Sequence, residues 1–189
     1  MKQINTYINE KLHITTKSHL YSCHPKTKEE LREIIVQRIK SDGNECDLND
    51  VDVSNIEDMS QLFNAMPNSS FSNAIFKDFN GDISRWDVSN VKDMTCMFRF
   101  CENFNCDISG WDVSNLIKAE LMFCKCTKFN QNISKWDVSN IKNIHSMFFM
   151  CSNFKQNLNK WDISNVEIMG NTFKDCPTKP KWYRGIHKL

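Results

Sequence analysis

Apolar residues recur along this chain with a period of 25, marked by Trp86, Trp111, Trp136 and Trp161. Each tryptophan is followed by an aspartate (Asp87, Asp112, Asp137, Asp162), then by Val88, Val113, Val138 or Ile163, then by Ser-Asn. Phe98, Phe123, Phe148 and Phe173 keep the same phase, as do Cys101, Cys126, Cys151 and Cys176. Phe104, Phe129 and Phe154 follow, then Ile108, Ile133 and Leu158. So many columns in register identify an internal repeat. A degenerate copy lies upstream. Asp52-Val53-Ser54-Asn55-Ile56 matches Asp87 to Val91 and Leu62-Phe63 matches Met97-Phe98, with Val51 in the tryptophan column and Leu48 in the isoleucine column. The offset to the next copy is 35, so about ten residues are inserted near 67–76, a turn-rich stretch expected to bulge as a loop. Five units then run over residues 45–176.

Within a unit, Val91, Met94, Phe98 and Cys101 are separated by 3, 4 and 3 positions, which predicts one face of a helix of about ten residues. Ser89 or Asn90 would cap it, and Ser54-x-x-Glu57 spells a capping box in the first unit. The stretch Asp107–Val113 suits a brief extended segment. One such unit cannot enclose its own apolar face, so units stack and bury a shared core. Extended segments pack roughly 4.8 Å apart and helices roughly 8–10 Å apart, so the helical side should splay and the array should curve. The expectation is an α/β fold: a leucine-rich-repeat-like solenoid of about five units. Its domains are an N-terminal arm (1–26, with an extended arm or strand over 1–20), a capping helix (27–44), the repeats (45–176) and a C-terminal cap (177–189). In the capping helix Thr27-x-x-Glu30 is a capping box, Leu31, Ile34, Ile35 and Ile39 form the apolar face, and Gly43 ends it. Pro177 is expected to stop the last unit's helix, and Trp182 and Tyr183 are placed to seal the final unit.

Composition changes this picture little. With 40% apolar and 25% charged residues the chain reads as folded, and a net charge of +1 gives no global field to recruit nucleic acid. The first residues hold no apolar run of a secretory signal, and no stretch is long enough for a spanning helix, so neither export nor a membrane span is expected. An odd count of nine cysteines without a signal favours reduced thiols.

The repeated columns invite chemical readings. Five stacked aspartates, Asp52 included, offer oxygens to Ca²⁺, but calcium-binding repeats are glycine-rich nonapeptides, and aspartate before a helix also stabilises turns and free N–H groups. One thiol per unit on an apolar face behaves as a small buried hydrophobe, whereas zinc sites pair their ligands locally. Disulfides between adjacent units remain geometrically open. Cys124-Lys125-Cys126 is a lone C-x-C, with Cys124 expected on the exposed side. The tryptophans could form an aromatic strip, but an invariant place in each unit points to ladder residues. No phosphate loop, His-x-x-x-His pair or nucleophile elbow occurs, and His13, His19, His24, His145 and His187 are scattered, so no enzyme activity, metal or cofactor is expected. Recognition is assigned to the positions that vary between units: Arg99, Glu120, Lys125, His145 and Phe149. The basic tail (Lys174, Lys179, Lys181, Arg184, Lys188) reads as a solvated end.

The repeat spelled FNGDISRWDVSNVKDMTCMF (Phe79–Phe98) resembles that of the BspA-like leucine-rich-repeat surface protein family, a repeat also seen in mycoplasma surface lipoproteins. HPKTKEELREII (His24–Ile35), running into CDLNDVDVSNIEDMSQLF (Cys46–Phe63), resembles the segment that opens such arrays, so the likeness covers about 24–185. It implies an α/β solenoid related to leucine-rich repeats, and surface display, adhesion or protein interaction. The chain departs from surface-displayed members in lacking an export signal or a lipid-attachment cysteine near its start, which points instead to an intracellular or virion-associated setting. Two functions follow as expectations. The first is a non-enzymatic module binding a protein partner. The alternative is a structural or accessory component of a larger particle such as a virion, docked through its N-terminal arm or end caps. The chain would be a monomer or part of a larger assembly.

Overall fold

In the computed structural model, residues 21–68 and 74–184 are described. The arm expected over 1–20 lies outside them, as do 69–73 within the insertion and 185–189 at the end of the expected C-terminal cap.

Each unit closes on itself through a chain of tight turns. In the second unit the N–H of Trp86 donates to the Ile83 carbonyl (3.2 Å), Val91 to Val88 (2.9 Å), Met97 to Met94 (3.1 Å), Arg99 to Cys96 (3.2 Å), Cys101 to Phe98 (3.0 Å) and Phe104 to Cys101 (3.1 Å). Most of these turns have an apolar residue at both corners, so each one brings a pair of side chains back to the interior. In units two to five, two residues per unit sit in the left-handed region without being glycine, and Gln61 (φ 60°) holds the first of these positions in unit one. One column is Cys96, Leu121, Ser146 and Asn171 (φ 58, 55, 54 and 58°), the other Phe100, Lys125, Met150 and Asp175 (φ 65, 61, 59 and 62°). Left-handed residues interrupt a right-handed helix at once.

The expected α/β leucine-rich-repeat-like solenoid is therefore corrected. Among the described residues there is one α-helix, α1 (Lys28–Asp42), and a short 3₁₀ turn at Ala74–Phe76. Among the same described residues β-pairing is confined to isolated parallel bridges such as Asp93–Lys118 and Lys118–Asn143, with no sheet. No unit carries the expected helix of about ten residues. Ser89 and Asn90 cap nothing helical, and Ser54-x-x-Glu57 is not a capping box, because residues 54–65 form turns.

Successive units nonetheless stack as rungs. The N–H of Lys92 donates to the Glu57 carbonyl (2.8 Å), Ile117 to Lys92 (2.9 Å), Lys142 to Ile117 (2.9 Å) and Glu167 to Lys142 (2.8 Å). These contacts number the rungs one to five. Just beyond them Met94, Cys96, Phe98 and Phe100 donate to Lys118, Glu120, Met122 and Cys124 of the next rung at 2.8–2.9 Å. This is the side on which helices were expected to splay the stack, and it is held instead by direct backbone bonds. In the interior, Phe63, Phe98, Phe123, Phe148 and Phe173 stack face to face at 5.2, 5.6, 5.5 and 5.3 Å. A second file, Phe79, Phe104, Phe129 and Phe154, runs beside it at 6.3, 5.9 and 5.8 Å.

Helix α1 covers the first rung. Thr27 Oγ1 accepts from the Glu30 N–H (3.2 Å), and Gly43, at φ 86°, donates to the Ile39 carbonyl to close the other end. Leu31, Ile35 and Ile39 are buried beneath it. After the insertion Phe76 re-enters the core edge-on to Phe63 (5.6 Å), with the Arg32 guanidinium 4.8 Å above its ring. At the other end Trp182 and Tyr183 meet Phe173 edge-on (5.7 and 5.2 Å).

Candidate functional site

The repeated columns are consumed by the stack. Each indole is buried and donates through Nε1 to a carbonyl of the preceding rung: Trp86 to Leu48 (2.9 Å), Trp111 to Ile83, Trp136 to Ile108 and Trp161 to Ile133 (3.1 Å each). Trp182 extends the file by donating to Leu158 (2.8 Å). A tryptophan whose face is stacked and whose N–H is spent has nothing left for a ligand. The aspartates fold their own turns: Oδ1 of Asp87, Asp112, Asp137 and Asp162 accepts the N–H of the serine two residues on, at 3.2, 3.0, 3.0 and 3.0 Å. Hydrogen bonds from Ser114 and Ser139 hold the Asp112 and Asp137 carboxyls below the ordinary range. Among the described residues no group of three or more His, Cys, Asp or Glu is placed to hold a metal ion.

The asparagine after each of those serines is a ladder residue that sequence reasoning misassigned to helix caps. Nδ2 of Asn90, Asn115, Asn140 and Asn165 donates to the carbonyl of Ser54, Ser89, Ser114 and Ser139 in the preceding rung, at 2.7–2.8 Å. Its recurrence in every unit was the available signal.

All nine cysteines are free. Cys101, Cys126, Cys151 and Cys176 donate from Sγ to the carbonyls of Phe63, Phe98, Phe123 and Phe148, at 3.0, 2.9, 2.9 and 2.7 Å. Burial pushes the thiols of the first three far above their ordinary range. Cys176, half-buried at the last rung, is lowered instead, first by its hydrogen bond with Cys151 and also by Lys179. Because the thiolate is the reactive form, Cys176 is expected to react first of the four with a disulfide reagent at neutral pH. Cys101, Cys126 and Cys151 should stay unlabelled until the stack unfolds, as mass spectrometry of the timed reaction would show. Labelling of Cys126 at the rate of Cys176 in the folded chain would contradict this.

The varying positions lie along the stretch that is bonded from rung to rung. Arg99, Glu120, Lys125, His145 and Phe149 are all half-buried there, and they fall into two groups. Glu120 Oε2 accepts from Asn143 Nδ2 (3.0 Å), and Asn143 Oδ1 accepts the His145 N–H (2.9 Å). Arg99 and Lys125 share the ring of Phe100, at 5.6 and 4.6 Å from its centroid, while Phe149 lies beneath Lys174 (5.7 Å). The N–H of Lys125 donates to the Phe149 carbonyl (2.8 Å), which ties the second group together. Phe100 and Met150, in the column of Lys125, and Lys174, in the column of Arg99 and Phe149, join this face although they were not themselves singled out. Cys124 belongs to its floor, buried rather than exposed as expected. Burial raises the Cys96 and Cys124 thiols, and the Arg99 guanidinium beside them tempers that rise. Arg99 Nε is itself buried without an acceptor. A shallow groove of about 350 Å³, lined by Glu102, Lys125, Thr127, Met150, Ser152 and Asp175, continues the face.

A family described as "Mycoplasma protein of unknown function, DUF285" matches residues 66–182, the span that holds this face and the aromatic files apart from Phe63. The chain belongs to that family. No curated protein and no solved structure gives a match. The DUF285 span begins after the first rung, so α1 and the degenerate unit lie outside it. Among the described residues no helix is long and apolar enough to cross a membrane.

Proposed function

We propose that this DUF285 chain is a non-enzymatic recognition module that binds a protein partner through the side face carrying Arg99, Glu120, Lys125, His145 and Phe149. The observation that carries the reading is the Phe100 cluster: a half-buried ring flanked by two cations, one of which keeps a buried Nε without an acceptor. Buried polar atoms are ordinarily paired, and aromatic and arginine side chains dominate binding energy at protein interfaces. The columns on either side are consumed by stacking, whereas this face changes residue type from rung to rung. With Arg99, Lys125 and Lys174 over its rings, it suits an acidic partner segment. The resemblance of the repeat to BspA-like surface proteins supports the same class of role, adhesion or partner interaction.

A Lys125→Glu/Phe149→Ser double variant tests the reading, since both side chains are half-exposed. A protein partner recovered on the wild-type chain should bind the variant at least about tenfold more weakly, equivalent to about 1.4 kcal/mol, with an unchanged melting temperature. Unaltered affinity at equal stability would remove this face from the interaction.

A further inference from the structure

Successive thiols of the cysteine column share carbonyls. The Phe98 carbonyl accepts the Cys101 N–H (3.0 Å) and the Cys126 thiol (2.9 Å), and the Phe123 carbonyl accepts the Cys126 N–H and the Cys151 thiol (2.9 Å each). The Phe148 carbonyl accepts the Cys151 N–H (3.0 Å) and the Cys176 thiol (2.7 Å). Beside this last pair the Phe148 N–H donates to the Thr172 carbonyl and the Met150 N–H to the Lys174 carbonyl (2.9 Å each), which fixes the separation of rungs four and five. Backbones bonded in this way run about 4.8 Å apart, inside the roughly 4.4–6.8 Å between Cα atoms that a disulfide spans.

The last pair differs from those below it. Cys101, Cys126 and Cys151 are wholly buried, so in the lower pairs solvent reaches neither thiol, whereas Cys176 is only half-buried. Cys151 and Cys176 are also hydrogen-bonding neighbours. Burial and then that bond raise the Cys151 thiol, and the same bond, with Lys179, lowers Cys176. The proton therefore stays on Cys151, and Cys176 is the member that ionises. A thiol that ionises readily, is open to solvent and lies beside a second thiol is the arrangement that oxidants select. Cys96 and Cys124, on the floor of the side face, have no such member, since both are buried and both are raised by burial.

We propose that Cys176 and Cys151 are the attacking and resolving thiols of an oxidation site for small hydroperoxides, which closes into a disulfide between rungs four and five. The Cys176 thiolate attacks one oxygen of the peroxide, the O–O bond breaks, hydroxide leaves and Cys176 becomes a sulfenic acid. The Cys151 sulfur then attacks that sulfur, the S–O bond breaks, and the Cys151 proton leaves with the hydroxyl as water. One peroxide is reduced to water while two thiols are oxidised to one disulfide. The bond staples rung five, which stacks on a single neighbour, to the rest of the array. The inference does not rest on the partner-binding reading of the side face.

The test exposes the reduced full-length protein to a small excess of hydrogen peroxide, unfolds it in urea with iodoacetamide, and maps its peptides by mass spectrometry without reductant. The chain should lose two hydrogens, carry one cross-link, Cys151–Cys176, and return to its starting mass with dithiothreitol. Cys151→Ser, which keeps a donor for the Phe123 carbonyl, should hold Cys176 as a sulfenic acid that dimedone captures. Cys176→Ser should slow oxidation of Cys151 by at least about tenfold, because the thiolate is the reactive form. Both variants are read on chains whose fluorescence melting matches the wild type, and the wild-type map decides even if neither folds. Advance of Cys176 to sulfinic acid with Cys151 still alkylated overturns the proposal. So do a cross-link between two chains through Cys176, a first disulfide at any other pair, and undiminished oxidation of Cys151 in Cys176→Ser.

Discussion

Replacing Phe123 with alanine is expected to lower the stability of the chain by about 3–5 kcal/mol. The ring is wholly buried in the middle rung, with Phe98 and Phe148 stacked on its two faces (5.6 and 5.5 Å), Phe129 beside it at 4.2 Å and Phe104 and Trp136 at 6.4 Å. The cost of such a truncation depends on how far the surroundings can collapse. Here they cannot move far, because the spacing of the rungs is fixed by backbone bonds on both sides, Phe98 N–H to Met122 and Phe123 N–H to Met147 (2.9 Å each). The same substitution at Phe173 should cost clearly less. That ring stacks on one neighbour only, Phe148, and its outer side faces Trp182 and Tyr183, which belong to the chain end and can settle into the gap. Urea unfolding of the two variants, followed by tryptophan fluorescence, gives the comparison. Equal losses at the two sites would mean that the rungs do not constrain one another as described.

The period, the five copies and the columns were legible in the sequence because stacking makes the same demand on the same position in every rung. The path of the chain within a rung was not. Val91, Met94, Phe98 and Cys101 share a side because tight turns end on them, and a turn that returns an apolar residue every third position imitates the helical period. What separates the two is the left-handed backbone at Cys96, Leu121 and Ser146, and at Phe100, Lys125 and Met150. Of these two columns only the last unit carries an asparagine, Asn171, the residue type besides glycine that marks a left-handed position, whereas Cys, Leu, Phe and Met carry no such mark. Rung-to-rung bonds hold them there. The Ser-Asn pair misled for a related reason, since a side chain suited to a helix cap is equally suited to a turn or to a carbonyl of the rung below. The side-face residues were found by their variation alone. Sequence did not reveal that Arg99 and Lys125 converge on Phe100, because the three belong to two rungs brought together only by the stack. Nor did it reveal the direction of the rung-to-rung bonds, because backbone groups carry no residue identity.

Arg32 serves the outer edge of the first rung, and Arg32→Met is expected to destabilise the chain by about 2–3 kcal/mol, the range for losing hydrogen bonds made by a charged group. Methionine preserves most of the aliphatic stem over Phe76 but leaves the carbonyls of Gln61 and Leu62 without the guanidinium that now serves them. The guanidinium tolerates its position at some expense: burial there lowers its pKa, and without it the Gln61 carbonyl keeps only the Asn64 N–H (3.1 Å) while the Leu62 carbonyl loses its hydrogen bond under a helix. Lys28, one turn earlier on α1, gives the contrast. Its ion pair with Asp58 is more than half exposed on the carboxylate side (2.6 Å), so Lys28→Ala should cost no more than about 1 kcal/mol. The two losses should also differ in place. In Arg32→Met, hydrogen exchange should quicken first at Gln61, Phe63 and Ala65, whose N–H groups bond rung two, while Ala119 and Phe123, bonded further up the stack, keep their protection. Nearest-neighbour coupling predicts such fraying from a weakened end. A uniform loss of protection along the chain would show that α1 and the five rungs unfold as one unit and that Arg32 supports all of them alike.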